Sequence, residues 1–280
     1  MKRNQEELLE NQDIEIRLLI DAIFLKYGYD FRNYSQAHVK RRILNRFGLS
    51  GMKNMTDMIH EALYSHKFVD QILMDLSITV TEMFRDPGFY KALREEILPS
   101  LQTCPFIKIW HAGCSSGEEV YSMAILLKEL GLYNRTQIYA TDFNPRIIKQ
   151  AKEGIYSVGR MKEFTMNYQK SGGKGSFSDY YTANAENAKL LDSLKKNIVF
   201  ATHNLVTDSV FAEVNLVICR NVLIYFDREL QDKVIALFVD SLPEGGFLCL
   251  GSKENLQFSR HYSLFSPVIP REKIYVKKSQ

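Results

Sequence analysis

Apolar residues recur at helical spacing through the first part of the chain and then give way to short apolar runs. Ile14, Leu18, Leu19, Ala22, Ile23 and Leu25 follow a helical period, and Gly28 stops that run. The N-cap candidate Ser35 opens a second helix expected to end near Gly48. A third and a fourth helix are predicted over 55–63 and 67–73. No strand alternation interrupts them, so a small helical bundle is the simplest packing.

From about Pro105 the texture changes. Runs that read as strands occupy 106–110, 136–142, 197–203, 214–220 and 246–252, with helices expected near 117–130, 144–152 and 228–241. Apolar strands interleaved with helices predict an α/β fold, a doubly wound and mostly parallel sheet covered on both faces. The stretch 155–195, rich in Gly, Ser, Tyr and Asn, breaks the rhythm and is expected to be an insertion, either an antiparallel hairpin or a loop.

Bulk numbers narrow the field. A chain of 280 residues, 45% hydrophobic and 25% charged, suits one or two domains with a full core. A net charge of +3 argues against wholesale nucleic-acid binding, so any basic surface is local. Cys104, Cys114, Cys219 and Cys249 are scattered, without metal spacing, and read as reduced thiols in a cytoplasmic protein. The polar start is unlike a signal peptide, and no window approaches eighteen apolar residues, so membrane insertion is not expected.

Candidate chemistry gathers where strands end. In a doubly wound sheet, ligands sit beyond the carboxyl ends of the strands. The first strand runs into Gly113-Cys114-Ser115-Ser116-Gly117, followed at once by Glu118 and Glu119. This matches neither a dinucleotide fingerprint nor a phosphate loop, which would carry a lysine. Acidic followers suit a cationic ligand without phosphate, such as S-adenosylmethionine, or else they complement the helix dipole. Asp142, ending the second strand, either accepts ribose hydroxyls or caps the next helix. Asn204-Leu205 and Arg220-Asn221, with Tyr225 beyond, close the third and fourth strands. Thr79 to Pro87 joins the two regions; Asp86-Pro87 reads as a helix start, and Arg85 as a linker charge or a carboxylate clamp. In the second helix, Val39, Ile43 and Phe47 share one face, while His38, Arg41, Arg42, Asn45 and Arg46 occupy the other with Lys40 beside them. Few acidic residues balance that face, which predicts an acidic partner helix.

Together the marks T-E-M-F-R-D-P, W-H-A-G-C-S-S-G-E-E, A-T-D, N-L and C-R-N-V-L-I-Y-F-D, in that order, resemble the bacterial chemotaxis receptor glutamate methyltransferases of the CheR family. The resemblance runs from about Thr79 to Gly251, and the Y-S-Q-A-H-V-K-R-R helix fits as well. It implies a Rossmann-like class I methyltransferase domain over 77–280, with 155–195 as a β-subdomain insertion, behind a helical domain over 1–76. It implies S-adenosylmethionine as donor, held by Thr79, Thr81, Arg85, Gly113, Glu119, Asp142, Asn204, Leu205, Arg220 and Asn221. Arg85, Arg220 and Tyr225 are expected at the methyl-transfer end, with no metal. Lys40, Arg41, Arg42 and Arg46 are expected to meet the cytoplasmic helical region of methyl-accepting receptors, with the enzyme a monomer. Two departures stand out: His111 replaces a more usual small residue, and the insertion is unlike that of members that grip a receptor pentapeptide, which argues against tethering. The position in the motif favours Glu119 over Glu118 as the cofactor ligand. An inactive docking module, or a methyltransferase for another substrate, are the alternative readings.

Overall fold

The computed structural model describes residues 2–77 and 81–279. Helices α1 (Lys2–Tyr27), α2 (Gln36–Ser50), α3 (Met55–Tyr64) and α4 (His66–Leu76) come first. Then follow α5 (Pro87–Ala92), a π-helical turn at Leu93–Ile97 and α6 (Leu98–Ser100). Strands and helices then alternate: β1 (Ile107–Ala112), α7 (Glu118–Glu129), β2 (Thr136–Asp142), α8 (Pro145–Glu153). The insertion carries β3 (Ile155–Ser157), α9 (Met161–Lys170), β4 (Tyr181–Ala183) and β5 (Asn187–Leu190). The chain returns through β6 (Ile198–Thr202), β7 (Leu216–Cys219), α10 (Arg228–Ser241), β8 (Phe247–Leu250), β9 (Phe265–Ile269) and β10 (Ile274–Lys277).

Two compact units result, residues 1–78 with 224–231, and 79–223 with 232–280. In the first, α1 buries Ile16, Leu19, Ile20 and Ile23, and α2 buries Val39 and Ile43. Helix α2 outruns the expected stop at Gly48 and ends at Gly51, whose φ of 69° is the left-handed conformation that suits glycine. The segment 224–231 belongs to this unit: Tyr34 and Phe226 form a β-bridge, and the Ser35 amide donates to the Tyr225 carbonyl at 2.8 Å.

The second unit is built on a seven-stranded sheet in the order β6-β2-β1-β7-β8-β10-β9. Strands β6, β2, β1, β7 and β8 are parallel, and β10 and β9 close the sheet as an antiparallel edge. The chain steps outward from β1 through β2 to β6 and then returns to β7 on the other side of β1, which places the switch point between β1 and β7. Near-continuous burial of β1, β7 and β8 reflects helices on both faces. The 155–195 insertion is neither a simple hairpin nor a loop. It is a three-stranded antiparallel sheet, β3-β5-β4, with a ten-residue helix whose Phe164 and Tyr168 are fully buried.

Candidate active site

Register fixes which residues meet at one sheet edge. Ala112 lies beside Thr141 and Asp142 beside Thr202, while His111 on β1 lies beside Ile218 on β7. The turns after these parallel strands therefore open at the same edge, and they carry Gly113–Gly117, Asp142, Asn204-Leu205 and Arg220-Asn221.

Each turn is held by its own polar bonds. The amides of Gly113 and Cys114 donate to the Thr141 carbonyl at 2.9 and 2.8 Å, and the Ser115 amide donates to Asp142 Oδ2 at 3.1 Å. Gly113 has φ 79°, and a Cβ there would come within 2.6 Å of Val222 Cγ2, so glycine is what lets the two turns approach. Phe84, Asp86, Ser115 and Asn221 all take positive φ without being glycine, at 53°, 55°, 50° and 61°. Such backbone concentrates where a site over-determines its shape.

Asp142 does not cap the following helix; Asn144 does, accepting the Arg146 amide at 3.0 Å. The Asp142 carboxylate instead accepts backbone amides, Ser115 on Oδ2 and Asn144 on Oδ1. Burial pushes its carboxyl up to about 6 despite those bonds. Asp86 is the N-cap residue of α5 with Pro87 at the first helical position, as expected, but its carboxylate makes no capping bond and takes the Arg220 guanidinium at 2.6 Å instead.

The adjacent glutamates have separate fates. Glu118 is fully buried, with Oε1 on Arg160 at 2.7 Å and Oε2 on the Ser116 hydroxyl at 2.7 Å. Glu119 keeps 18% of its side chain exposed and lies 3.1 Å from both His111 Nδ1 and Arg220 Nη1. Burial pushes the Glu119 carboxyl up, but the His111 hydrogen bond and the Arg220 charge outweigh it, leaving the group below its ordinary value. The unusual His111 is thus the second partner of Glu119. Arg220 also lies 4.0 Å over the Phe89 ring.

The remaining expected residues fall as follows. The Arg85 carbonyl accepts from Arg220 at 3.5 Å, and its side chain acts on Glu82. Asn204 Oδ1 accepts the Val206 amide at 3.0 Å, which makes the Asn204-Leu205 turn. Tyr225 lies in the helical unit's segment, its ring 4.6 Å from that of His38. Thr79 lies outside the described residues. On α2, Lys40 pairs with Asp13 of α1 at 2.6 Å and Arg46 forks onto Asp75 of α4. The expectation that few acids balance this face fails for these two, because their partners come from other helices. Arg41 remains exposed.

Sequence reasoning missed Glu254. Its buried carboxylate accepts the amides of Asn221 at 3.0 Å, Val222 at 2.8 Å and Gly251 at 2.5 Å, tying the turn after β7 to the one after β8. A glutamate in a Gly-Ser-Lys-Glu-Asn stretch carries no local signal of that role. Arg160, in the insertion, was missed for the same reason.

The donor set fits S-adenosylmethionine. Glu119, Asp86 and Asp142 gather around the Arg220 guanidinium, and this surplus of carboxylates suits a cationic ligand. Asp142, at the carboxyl end of β2, sits where the hydroxyls of an adenosine ribose could donate to it. Among the described residues, no group of His, Cys, Asp and Glu is placed to hold a metal ion, and no helix is long and apolar enough to cross a membrane.

Comparison with known proteins agrees with this geometry. Residues 79–269 match the family described as CheR methyltransferase, SAM binding domain, and residues 14–77 match CheR methyltransferase, all-alpha domain. A putative methyltransferase of Pseudomonas putida, Cher3, is 52% identical over 267 residues, 95% of this chain and 98% of the relative. A chemotaxis protein methyltransferase of Listeria monocytogenes is 30% identical over 244 residues, covering 85% of this chain and 88% of the relative. One from Borreliella burgdorferi is 27% identical over 284 residues, covering 95% and 98%. With both family domains matched in order along a chain whose strand edge suits their cofactor, this protein belongs to the CheR family of S-adenosylmethionine-dependent methyltransferases.

Proposed function

We propose that the protein methylates glutamate side chains in the cytoplasmic helical region of bacterial chemoreceptors or related signalling proteins, working in the cytoplasm as a monomer. The observation that supports this reading most is the strand edge in which Arg220 is clamped between Glu119 and Asp86, beside the buried carboxylate of Asp142. When bound, S-adenosylmethionine supplies a sulfonium methyl group to an attacking nucleophile. A glutamate acceptor is ionised at neutral pH, so the chain needs no strong general base. Its residues have to orient, neutralise and exclude water. Alignment of that kind is worth up to about 7–11 kcal/mol of barrier in ideal cases.

In this reading Asp142 holds the ribose hydroxyls, and Glu119 gives the cationic amino-acid end its counter-charge. Thr79, Thr81, Gly113, Asn204, Leu205 and Asn221 line the same ligand. Arg85, Arg220 and Tyr225 shape the methyl-transfer end, where a guanidinium also attracts the incoming carboxylate. Residues 1–76 form the docking domain, with Arg41 and Arg42 facing the acidic receptor helix, and 77–280 form the catalytic domain. The test is transfer of radiolabel from the methyl donor to receptor helical fragments, followed by release of volatile methanol in mild alkali. Label that withstands alkali would point to another acceptor. Binding of the cofactor without transfer to any receptor fragment would point to a docking module.

A further inference from the structure

The linker that carries Thr81 and Arg85 is held by the insertion. Arg160, at the end of the turn before α9, donates Nη1 to Glu118 Oε1 at 2.7 Å and Nη2 to the Thr81 carbonyl. Its guanidinium also lies 4.6 Å over the Phe164 ring of α9. One side chain of the insertion therefore ties the start of α7, directly after the glycine turn, to the linker. Seven residues after Arg160, on α9, the Asn167 side-chain amide lies 3.2 Å from both Glu82 Oε2 and the Met83 carbonyl. Phe84, with its strained φ of 53°, sends a fully buried ring among Tyr90, Tyr168 and Phe177, and the last two belong to the insertion. The Phe84 amide closes the arrangement by donating to Ser122 Oγ of α7 at 2.9 Å.

From this geometry we infer that the 155–195 insertion is a clamp on the cofactor-binding linker, and that Arg160 is a positioning residue for S-adenosylmethionine. The inference rests on the proposed role of Thr81 and Arg85 as cofactor ligands. Glu118 is Arg160's anchor: a fully buried carboxylate with its second oxygen on Ser116 fixes where the guanidinium sits. Without Arg160, Glu118 is left buried with one charge partner fewer, and the Thr81 carbonyl is released. The linker then has to be ordered by the cofactor itself, and that ordering cost appears as weaker binding.

The test is calorimetric titration of the full chain with S-adenosylhomocysteine, beside steady-state methylation, for wild type, Arg160→Ala, Arg160→Lys and Asn167→Ala. Arg160→Ala is expected to weaken binding about tenfold or more, the scale of one charge-assisted hydrogen bond. The KM for the methyl donor should rise by the same factor while kcat changes little. Lysine should restore part of the affinity, and amide hydrogen exchange over 82–86 should speed up in Arg160→Ala and, more weakly, in Asn167→Ala. Asn167→Ala, which keeps Glu118 paired, should show the same KM effect more weakly, and it carries the test if Arg160→Ala does not fold. Wild-type affinity in a folded Arg160→Ala variant, or in Asn167→Ala if only that one folds, would overturn the inference while leaving the cofactor site intact. Failure of the wild type itself to bind would overturn the cofactor reading and this inference with it.

Discussion

Arg220 donates Nη2 to Asp86 at 2.6 Å, joining the turn after β7 to the start of α5. Its other terminal nitrogen meets Glu119, and only 2% of the side chain is exposed, so the guanidinium is the charge that both carboxylates depend on. Arg220→Met should abolish methyl transfer and lower the unfolding free energy by about 3 kcal/mol, because it leaves Glu119 enclosed without its counter-charge. Asp86 keeps 40% of its side chain in water, which holds the cost at the low end of what a broken buried pair gives. Urea denaturation beside a methylation assay checks both effects. Arg220→Lys should recover stability better than activity, since an ammonium cannot fork.

With Asp142 holding the ribose as proposed, cofactor binding should depend on pH. Burial raises its carboxyl from the ordinary 3.8 to about 6. In the unliganded protein this raised value favours folding only at acid pH, below the ordinary value, and that contribution is lost as pH rises through about 6. Ribose hydroxyls donating to the ionised form reverse the preference, so binding expels the proton. The affinity for S-adenosylhomocysteine should rise up to about tenfold per pH unit below about 6 and level off above about 7. Calorimetry in buffers of different ionisation enthalpy should show proton release near the lower end of that range. Asp142→Asn should bind weakly and show no such slope.

Glu254 is expected to matter for shape alone. Glu254→Ala removes the acceptor of three backbone amides, and each buried unpaired donor costs about 1–3 kcal/mol. Water entering the gap would recover part of that, so a fall of about 3 kcal/mol by urea denaturation is expected. The KM for the methyl donor should rise, since Asn221 sits on the released turn.

In the proposed function, the basic face of α2 divides into cations paired within the helical unit and cations left to meet a receptor. Arg46, forked onto Asp75, should cost about 1 kcal/mol of stability when changed to Ala, with receptor affinity at low salt nearly unchanged. Arg41→Glu should leave the melting temperature alone and weaken receptor binding, and the loss should shrink as salt is added. Melting scans and binding isotherms at two salt concentrations separate the two classes.

Much of this was legible in the sequence because period and punctuation agree with the fold. The parallel strands appear as apolar runs, since both faces of the sheet are covered, and their order with Asp142 and Arg220-Asn221 at the ends exposes the site edge. What escaped notice depends on pairing across distance. Strands β9 and β10 went unread partly because Pro267 sits inside β9; a proline is tolerated there because β9 is the sheet's edge. The insertion hid its helix because Phe164 and Tyr168 bury against partners that composition cannot place. Glu118 and Glu119 are told apart by their partners, Arg160 for one and His111 with Arg220 for the other, and Arg160 is 42 residues away. The Asp86 carboxylate reads as a helix cap until Arg220 is brought to it from the far side of the sheet's switch point.

In the proposed function this strand edge delivers a methyl group to receptor glutamates. Incubating the protein with S-adenosylmethionine carrying a labelled methyl group and a receptor cytoplasmic helical fragment, then locating the label by peptide mass spectrometry, should reveal glutamate methyl esters. These should vanish in mild alkali and be absent with Arg220→Met or Asp142→Asn. Label on any other atom, or esters formed undiminished by those two variants, would contradict it.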